Sequence, residues 1–189
     1  MLSINFLHDV VVPCANLFIF VHYTYIIMRV RRARVEEIEA IMLMYECAKA
    51  YMRREGNMAQ WGDDYPPRDL ILDEICAGRF YAIEHDDVPV GVFSFDVTTE
   101  PTYAVVYGGA WRCDEPYGVV HRLASNGRVG GVSDCCFAWC KERHPYLRVD
   151  THRDNLTMQR AIARQGFEYS GVIRLMRNGD ERLAYEWHK

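Results

Sequence analysis

Residues 128–133 read Arg-Val-Gly-Gly-Val-Ser and stand between two different patterns. Before them, Val119–Ser125 is a strand-like apolar run; after them, Val132 opens a long apolar helix that stops before Pro145. A turn this poor in side chains bares several main-chain N–H groups at once. At the start of a helix such groups, with the positive end of the helix dipole, suit a diphosphate, and glycine lets it come close. A plain strand-to-helix turn accounts for the same hexapeptide. Two other phosphate motifs are excluded. No Gly-Lys-Ser/Thr follows, as a Walker A loop requires, and there is no G-x-G-x-x-G within a repeat of parallel strands.

A second cluster invites a metal reading. Cys136, Cys140 and His144 are spaced i, i+4, i+8, which puts them on one helix face. No C-x-x-C pair elsewhere completes four ligands, so the stripe reads as core and no metal is expected. The seven cysteines are odd in number and scattered, as expected of reduced thiols in a reducing compartment, the cytoplasm. Asn155-Leu156-Thr157 matches a glycosylation sequon that is idle there.

The elements that must position the glycine turn follow from periodicity. A strand over 29–34 precedes a helix over 35–54, with Ile38, Ile41, Met42, Tyr45 and Ala48 on one stripe. A loop holding Trp61, Tyr65, Pro66 and Pro67 leads to a short helix over 68–76 that ends at Gly78. Strands over 79–85 and 88–97 flank a tight turn at Asp86-Asp87, and further strands are expected over 103–111 and 118–125. Beyond the glycine turn come a helix over 132–142, a strand over 146–152 and a helix over 156–164 capped by Gly166. A hairpin over 167–177 and 183–188, around Asn178-Gly179, closes the chain. The order predicts a mixed α/β fold with a largely antiparallel sheet. The length, 189 residues, suits one domain, and a net charge of −4 leaves no basic excess for nucleic acid.

Residues 1–28 stand apart. Residues 10–28 carry no charge for nineteen positions and Arg29, Arg31, Arg32 and Arg34 follow, yet Pro13, Asn16, His22 and Thr24 interrupt the run. Three readings stay open: a non-native extension ahead of Met28, a membrane anchor, or a helix packed on the domain formed by 29–189. A membrane enters only if residues 10–28 insert, and in every case the body is expected in the cytoplasm.

From Arg29 to the C-terminus the chain resembles the GNAT family of acyl-CoA-dependent N-acetyltransferases. The resemblance rests on four ordered segments: RVRRARVEEIEAIM, VPVGVFSF, RVGGVS and NLTMQRAIARQGF. The third is similar to the family's [QR]-x-x-G-x-[GA] loop, with Ser133 departing at the last position. The resemblance implies the GNAT fold, in which the strand at 121–125 splays from that at 146–152 and acetyl-CoA lies in the wedge as co-substrate. Main-chain groups of Leu123, Ala124 and Ser125 would meet the pantetheine arm. Arg128, Val129, Gly130, Gly131, Val132 and Ser133 would hold the pyrophosphate, and Asn155 would reach the pantetheine or thioester side.

The activity so implied is transfer of an acetyl group to a primary amine, a small molecule or a peptide, by direct attack. A domain that binds acyl-CoA with little turnover is the alternative. The amine needs a base. His121, at the start of the splayed strand, carries an imidazole, the side-chain type suited to general-base work, and Asp150 and His152 alternate onto one strand face; each also fits a purely structural part. Trp61, Tyr65 and Trp111 are candidate acceptor-pocket walls, or else peripheral core aromatics. The tyrosine that usually protonates the leaving thiolate falls at Ile162 here, which leaves the general acid open. The sequence does not name the amine or the oligomeric state.

Overall fold

A computed structural model describes residues 27–189. The apolar stretch up to residue 26 lies outside the described residues. Seven strands form one sheet: β1 (Met28–Arg32), β2 (Phe80–His85), β3 (Val88–Val97), β4 (Gly118–Ser125), β5 (Tyr146–Thr151), β6 (Glu168–Arg174) and β7 (Glu181–His188). Their spatial order is β1-β2-β3-β4-β5-β7-β6, and only β4–β5 is parallel. Helices α1 (Ile38–Arg54), α2 (Arg68–Cys76), α3 (Val132–Lys141) and α4 (Leu156–Arg164) complete the mixed α/β fold. Among the described residues no helix is long and apolar enough to cross a membrane.

Strand alternation separates two cores. Ala82 and Val92 face α1 and α2, joining Ile41, Tyr45 and Ile71. Their neighbours Ile83 and Phe93 face the other way, against Phe137 and Cys140 of α3 and Ile162 of α4. A smaller cluster of Tyr103, Tyr117, Val119 and Tyr146 extends the first face beneath the loop between β3 and β4. Cys136 and Cys140 are fully buried in the second core, as their stripe implied, and His144 bonds instead to the Tyr146 carbonyl. Among the described residues no group of His, Cys, Asp and Glu has the makings of a metal site.

Most boundaries follow the sequence pattern, and turn chemistry explains why. Asp86 and Asp87 both take left-handed conformations (φ 51° and 60°), which a two-residue hairpin with a type I′ turn requires. The expected helix over 35–54 begins as a 3-10 turn at Val35–Glu37, with the Glu37 carboxylate accepting from the Arg34 amide. The strand expected over 103–111 does not form. Pro101–Tyr103 is a 3-10 turn, and the rest of the loop meets the sheet through a bridge between Tyr107 and Val172, the Arg112 amide donating to Glu186 and the Cys113 carbonyl accepting from Arg148. Its aromatics imitate a strand in sequence, but Tyr103 and Trp111 bury their rings under the loop instead of joining a ladder.

Candidate active site

The site begins with a fault in β4. Ser94 of β3 faces His121, whereas Val92 faces Ala124, so Phe93 alone stands opposite both Arg122 and Leu123. This is a β-bulge, and Arg122 takes its left-handed conformation at φ 54°. Three contacts hold it. The Tyr45 hydroxyl donates to the Arg122 carbonyl (2.9 Å), Arg122 Nε donates to the Tyr65 hydroxyl (3.1 Å), and Glu74 lies 3.5 Å from Arg122 Nη1.

Just before the bulge β4 leaves its other neighbour. It pairs with β5 at three positions only, Gly118–Leu147, Val119–Arg148 and Val120–Val149. The Asn126 amide donates to Val90 on β3, which sets the alternation of the ladder: the amides of Leu123 and Ser125 then point away from β3, into the gap that β5 leaves. The gap opens at the carboxyl ends of two parallel strands, and the N-termini of α3 and α4 border it.

The glycine turn closes one end of the gap. Gly127 donates to Ser125 Oγ and Arg128 to Asn126 Oδ1, so these two amides are engaged. Among the described residues, no protein acceptor meets the amides of Val129, Gly130, Gly131, Val132 and Ser133, and α3 has no side-chain cap. Gly131 at φ 83° supplies the left-handed residue that turns them in one direction just before the helix. Open amides so arranged at a helix start can receive an anion.

A cavity of about 710 Å³ runs from the glycine turn through the gap to the loop between α1 and α2. Leu123, Ala124, Ser125 and the stretch from Val129 to Ser133 line it, as do His121, Asp150 and Asn155. Trp61 and Tyr65 form part of its far wall. Their loop is fixed by buried Lys49, which donates to the Asp63 carbonyl (2.7 Å), and by the edge of Tyr45 against Trp61, centroids 5.4 Å apart. Asn155 caps α4 through Met158 and donates to Gln60, tying the two sides of the cavity together.

Three expected residues lie elsewhere. The Arg128 side chain points to solvent, outside the cavity. Trp111 packs over Arg148 (4.0 Å) and donates to the Tyr103 carbonyl, in the small third cluster. His152 Nδ1 accepts from the Asp154 amide at the end of β5; it does not join Asp150 in the cavity, because the strand stops at Thr151 and the chain turns. Burial and the Arg182 charge lower its pKa.

Titratable side chains from β4, β5 and the loop between β3 and β4 gather near one end of the cavity. His121 Nε2 lies 3.6 Å from the Glu100 carboxylate, and the His121 ring is the main cause that holds that carboxyl down at about 2. Asp150 accepts from the Tyr103 hydroxyl (2.8 Å); burial, and then the Asp150 charge, push the phenol well above its usual pKa and keep it a donor. Arg177 and Arg182, from the hairpin between β6 and β7, reach the same end of the cavity. Arg182 escaped the sequence reading, although its phase in β7, shared with buried Ala184 and Glu186, was a signal: a charge on an inward phase needs a reason.

No model of a known protein family matches the sequence, and comparison with curated proteins gives no match. Solved structures do match. An acetyltransferase of the GNAT family from Streptococcus agalactiae is 33% identical, with 86% of this chain and 95% of that one covered and a TM-score of 0.78. The chain belongs to the GNAT family of acetyltransferases. Two more distant structures share the fold: a GNAT acetyltransferase from Listeria monocytogenes (18% identical, 86% and 95% covered, TM-score 0.63) and the polyamine N-acetyltransferase of Drosophila melanogaster (15%, 86% and 100%, 0.56). The GNAT assignment agrees with the segments that first suggested it and with the splayed strands β4 and β5. GNAT acetyltransferases use acetyl-CoA, which fits a wedge flanked by open amides.

Proposed function

We propose that this GNAT enzyme acetylates a primary amine by direct attack on acetyl-CoA, both substrates sharing the gap between β4 and β5. One observation carries the reading: a run of unpartnered main-chain amides, from Val129 to Ser133, sits beside a strand edge left open by its parallel neighbour. When bound, acetyl-CoA supplies the activated acetyl group.

The chain's own groups do the rest. Val129, Gly130, Gly131, Val132 and Ser133 hold the pyrophosphate through N–H groups and the dipole of α3. Leu123 and Ser125 extend main-chain hydrogen bonds to the pantetheine arm, and an amide at the bulge stabilises charge developing on the thioester oxygen. Glu100 draws the His121 proton to Nε2, so that Nδ1 accepts the proton of the attacking amine. Asp150 holds the ammonium before it is deprotonated. Trp61 and Tyr65 wall off solvent.

Ile162 is fully buried in the second core, so α4 offers no proton donor at the family's usual tyrosine position. The thiolate leaves unaided, since an alkyl thiol has a pKa of about 8.5, far below that of an alcohol. The free thiols among the described cysteines suit a reducing compartment, the cytoplasm.

The test is a paired measurement on the full chain. Acetyl-CoA at saturation is expected to raise the melting temperature. An amine that releases CoA should do so at least 10²-fold more slowly with His121→Ala, at an unchanged acetyl-CoA affinity. Undiminished turnover in His121→Ala removes the base assignment; no thermal shift at all removes the acetyl-CoA site.

A further inference from the structure

We propose that the acceptor is an amine that also carries an anionic oxygen group, a carboxylate or a phosphate, held by Arg177 and Arg182. The inference rests on the acetyl-transfer reading and narrows it. Charge around the cavity is lopsided: Arg54, Arg122, Arg177 and Arg182 line it, and Asp150 is the one carboxylate side chain that does so among the described residues.

The four arginines are not equivalent. Arg122 is answered by Glu74 and braces the bulge, and Arg54 lies on α1 beside Glu55 at 3.5 Å. The two on the terminal hairpin are less well answered. Arg182 is 3% exposed, and its guanidinium donates to two neutral oxygens, the carbonyls of Glu181 (2.9 Å) and Gln60 (3.2 Å). The nearest carboxylate, Asp180, is 3.7 Å away, is partly exposed and already accepts from Asn178. Asp150 and Asp180 are the carboxylates whose charge reaches Arg182, and neither accepts a hydrogen bond from it; a buried guanidinium so partnered is costly to keep. Arg177 is exposed, lies over the Tyr65 ring at 4.4 Å, and has no carboxylate within salt-bridge distance among the described residues.

Arg177 and Arg182 therefore present two guanidinium groups at the acceptor end, where Asp150 is the single acid. Guanidinium forks pair with carboxylate and phosphate oxygens. An amine with an anionic group satisfies both signs at once, its ammonium on Asp150 and its oxyanion on the arginines. A polyamine or a guanidino-amine brings a second cation to face them, and like charges at this range repel. The Drosophila neighbour is a polyamine acetyltransferase; the charge here argues that this chain has diverged from such substrates.

The experiment compares amines that differ by the anion alone: arginine against agmatine, lysine against cadaverine, and phosphoethanolamine against ethanolamine, each with acetyl-CoA and thiol release as readout. An acid-bearing member of at least one pair is expected to exceed its stripped partner by tenfold or more in kcat/KM. Arg177→Gln should collapse that ratio from both sides, raising KM for the acid and lowering it for dicationic agmatine and cadaverine, while acetyl-CoA still raises the melting temperature. Stripped amines that match or beat the acids, or a panel in which no acid-bearing amine releases CoA, overturn the proposal. Where acetyl-CoA still shifts the melting temperature, that failure belongs to the acceptor assignment; where it does not, the transfer reading has failed first.

Discussion

Replacing Gly130 by aspartate, with asparagine as its counterpart of equal size, isolates the charge that the main-chain cradle is proposed to hold. Gly130 is exposed, its φ is not left-handed, and a Cβ built there meets no atom within 4 Å. Both variants should therefore fold as the parent does. With a diphosphate on the neighbouring amides, the new carboxylate lies on the order of 6 Å from it. Coulomb repulsion at that distance is ~0.7 kcal/mol per pair of charges in bulk water and ~2.8 kcal/mol at the effective dielectric of a protein surface. Two phosphate charges at the weaker limit give ~1.4 kcal/mol, about tenfold in affinity.

The assay is calorimetric titration of acetyl-CoA into both variants at low and high salt. Gly130→Asp should bind at least about tenfold more weakly than Gly130→Asn near 0.01 M salt, where the Debye length is about 30 Å. The gap should close near 1 M, where that length is about 3 Å. A plain strand-to-helix turn predicts no difference between the two variants. Equal affinities at low salt would refute the cradle and with it the route by which the acetyl donor is bound.

Two further outcomes test how the site is supported. Tyr45→Phe removes the donor to the Arg122 carbonyl; at ~1–2 kcal/mol for an acceptor left without its partner, melting should fall by roughly 2–8 °C. A melting temperature equal to the parent's would mean that the bulge needs no such brace. Acid should loosen β1 from the chain that leads into α1. Hydrogen bonding to Arg31 is the largest cause that lowers the Glu37 pKa to about 2, against an ordinary value of 4.5. A carboxylate whose folded pKa is depressed contributes stability that is whole above about 4.5 and fades as pH falls toward 2. Melting followed from pH 5 to pH 2 should therefore drop more steeply in the parent than in Glu37→Gln, and parallel curves would deny the linkage.

The cavity was half legible in the sequence, and the division has a physical basis. Features carried by the main chain announce themselves through turn residues and periodicity: the glycine turn ahead of α3, the Asp86-Asp87 turn and the cap at Gly166 all fall where the residue pattern puts them. Side-chain partnerships across the sheet leave no such mark. That His121 finds Glu100 while His152 turns back onto its own loop depends on where β5 ends. Trp111 looked like a pocket wall because aromatics suit one; it became a lid on Arg148, which stacks between it and Tyr117. The bulge was invisible for a different reason. An arginine at positive φ is locally unfavourable, and only distant partners on α1, α2 and the intervening loop make it stable.

Those partners link the two halves of the proposed reaction. Holding Arg122 left-handed costs about 1–2 kcal/mol, a sum that the contacts from Tyr45, Tyr65 and Glu74 can offset. Tyr45 also packs against Trp61, and the Tyr65 ring carries Arg177 on its other side. The bulge comes just after β4 and β5 part, and the amides of Leu123 and Ser125 that face the gap follow it directly. On the proposed reading, residues at the acceptor end are thus the ones that brace the bulge beside the donor. Loosening the loop at Trp61 and Tyr65 is therefore expected to alter more than amine binding: it also takes away the Tyr65 contact that helps hold Arg122 left-handed, at the bulge beside the Leu123 and Ser125 amides assigned to the acetyl donor.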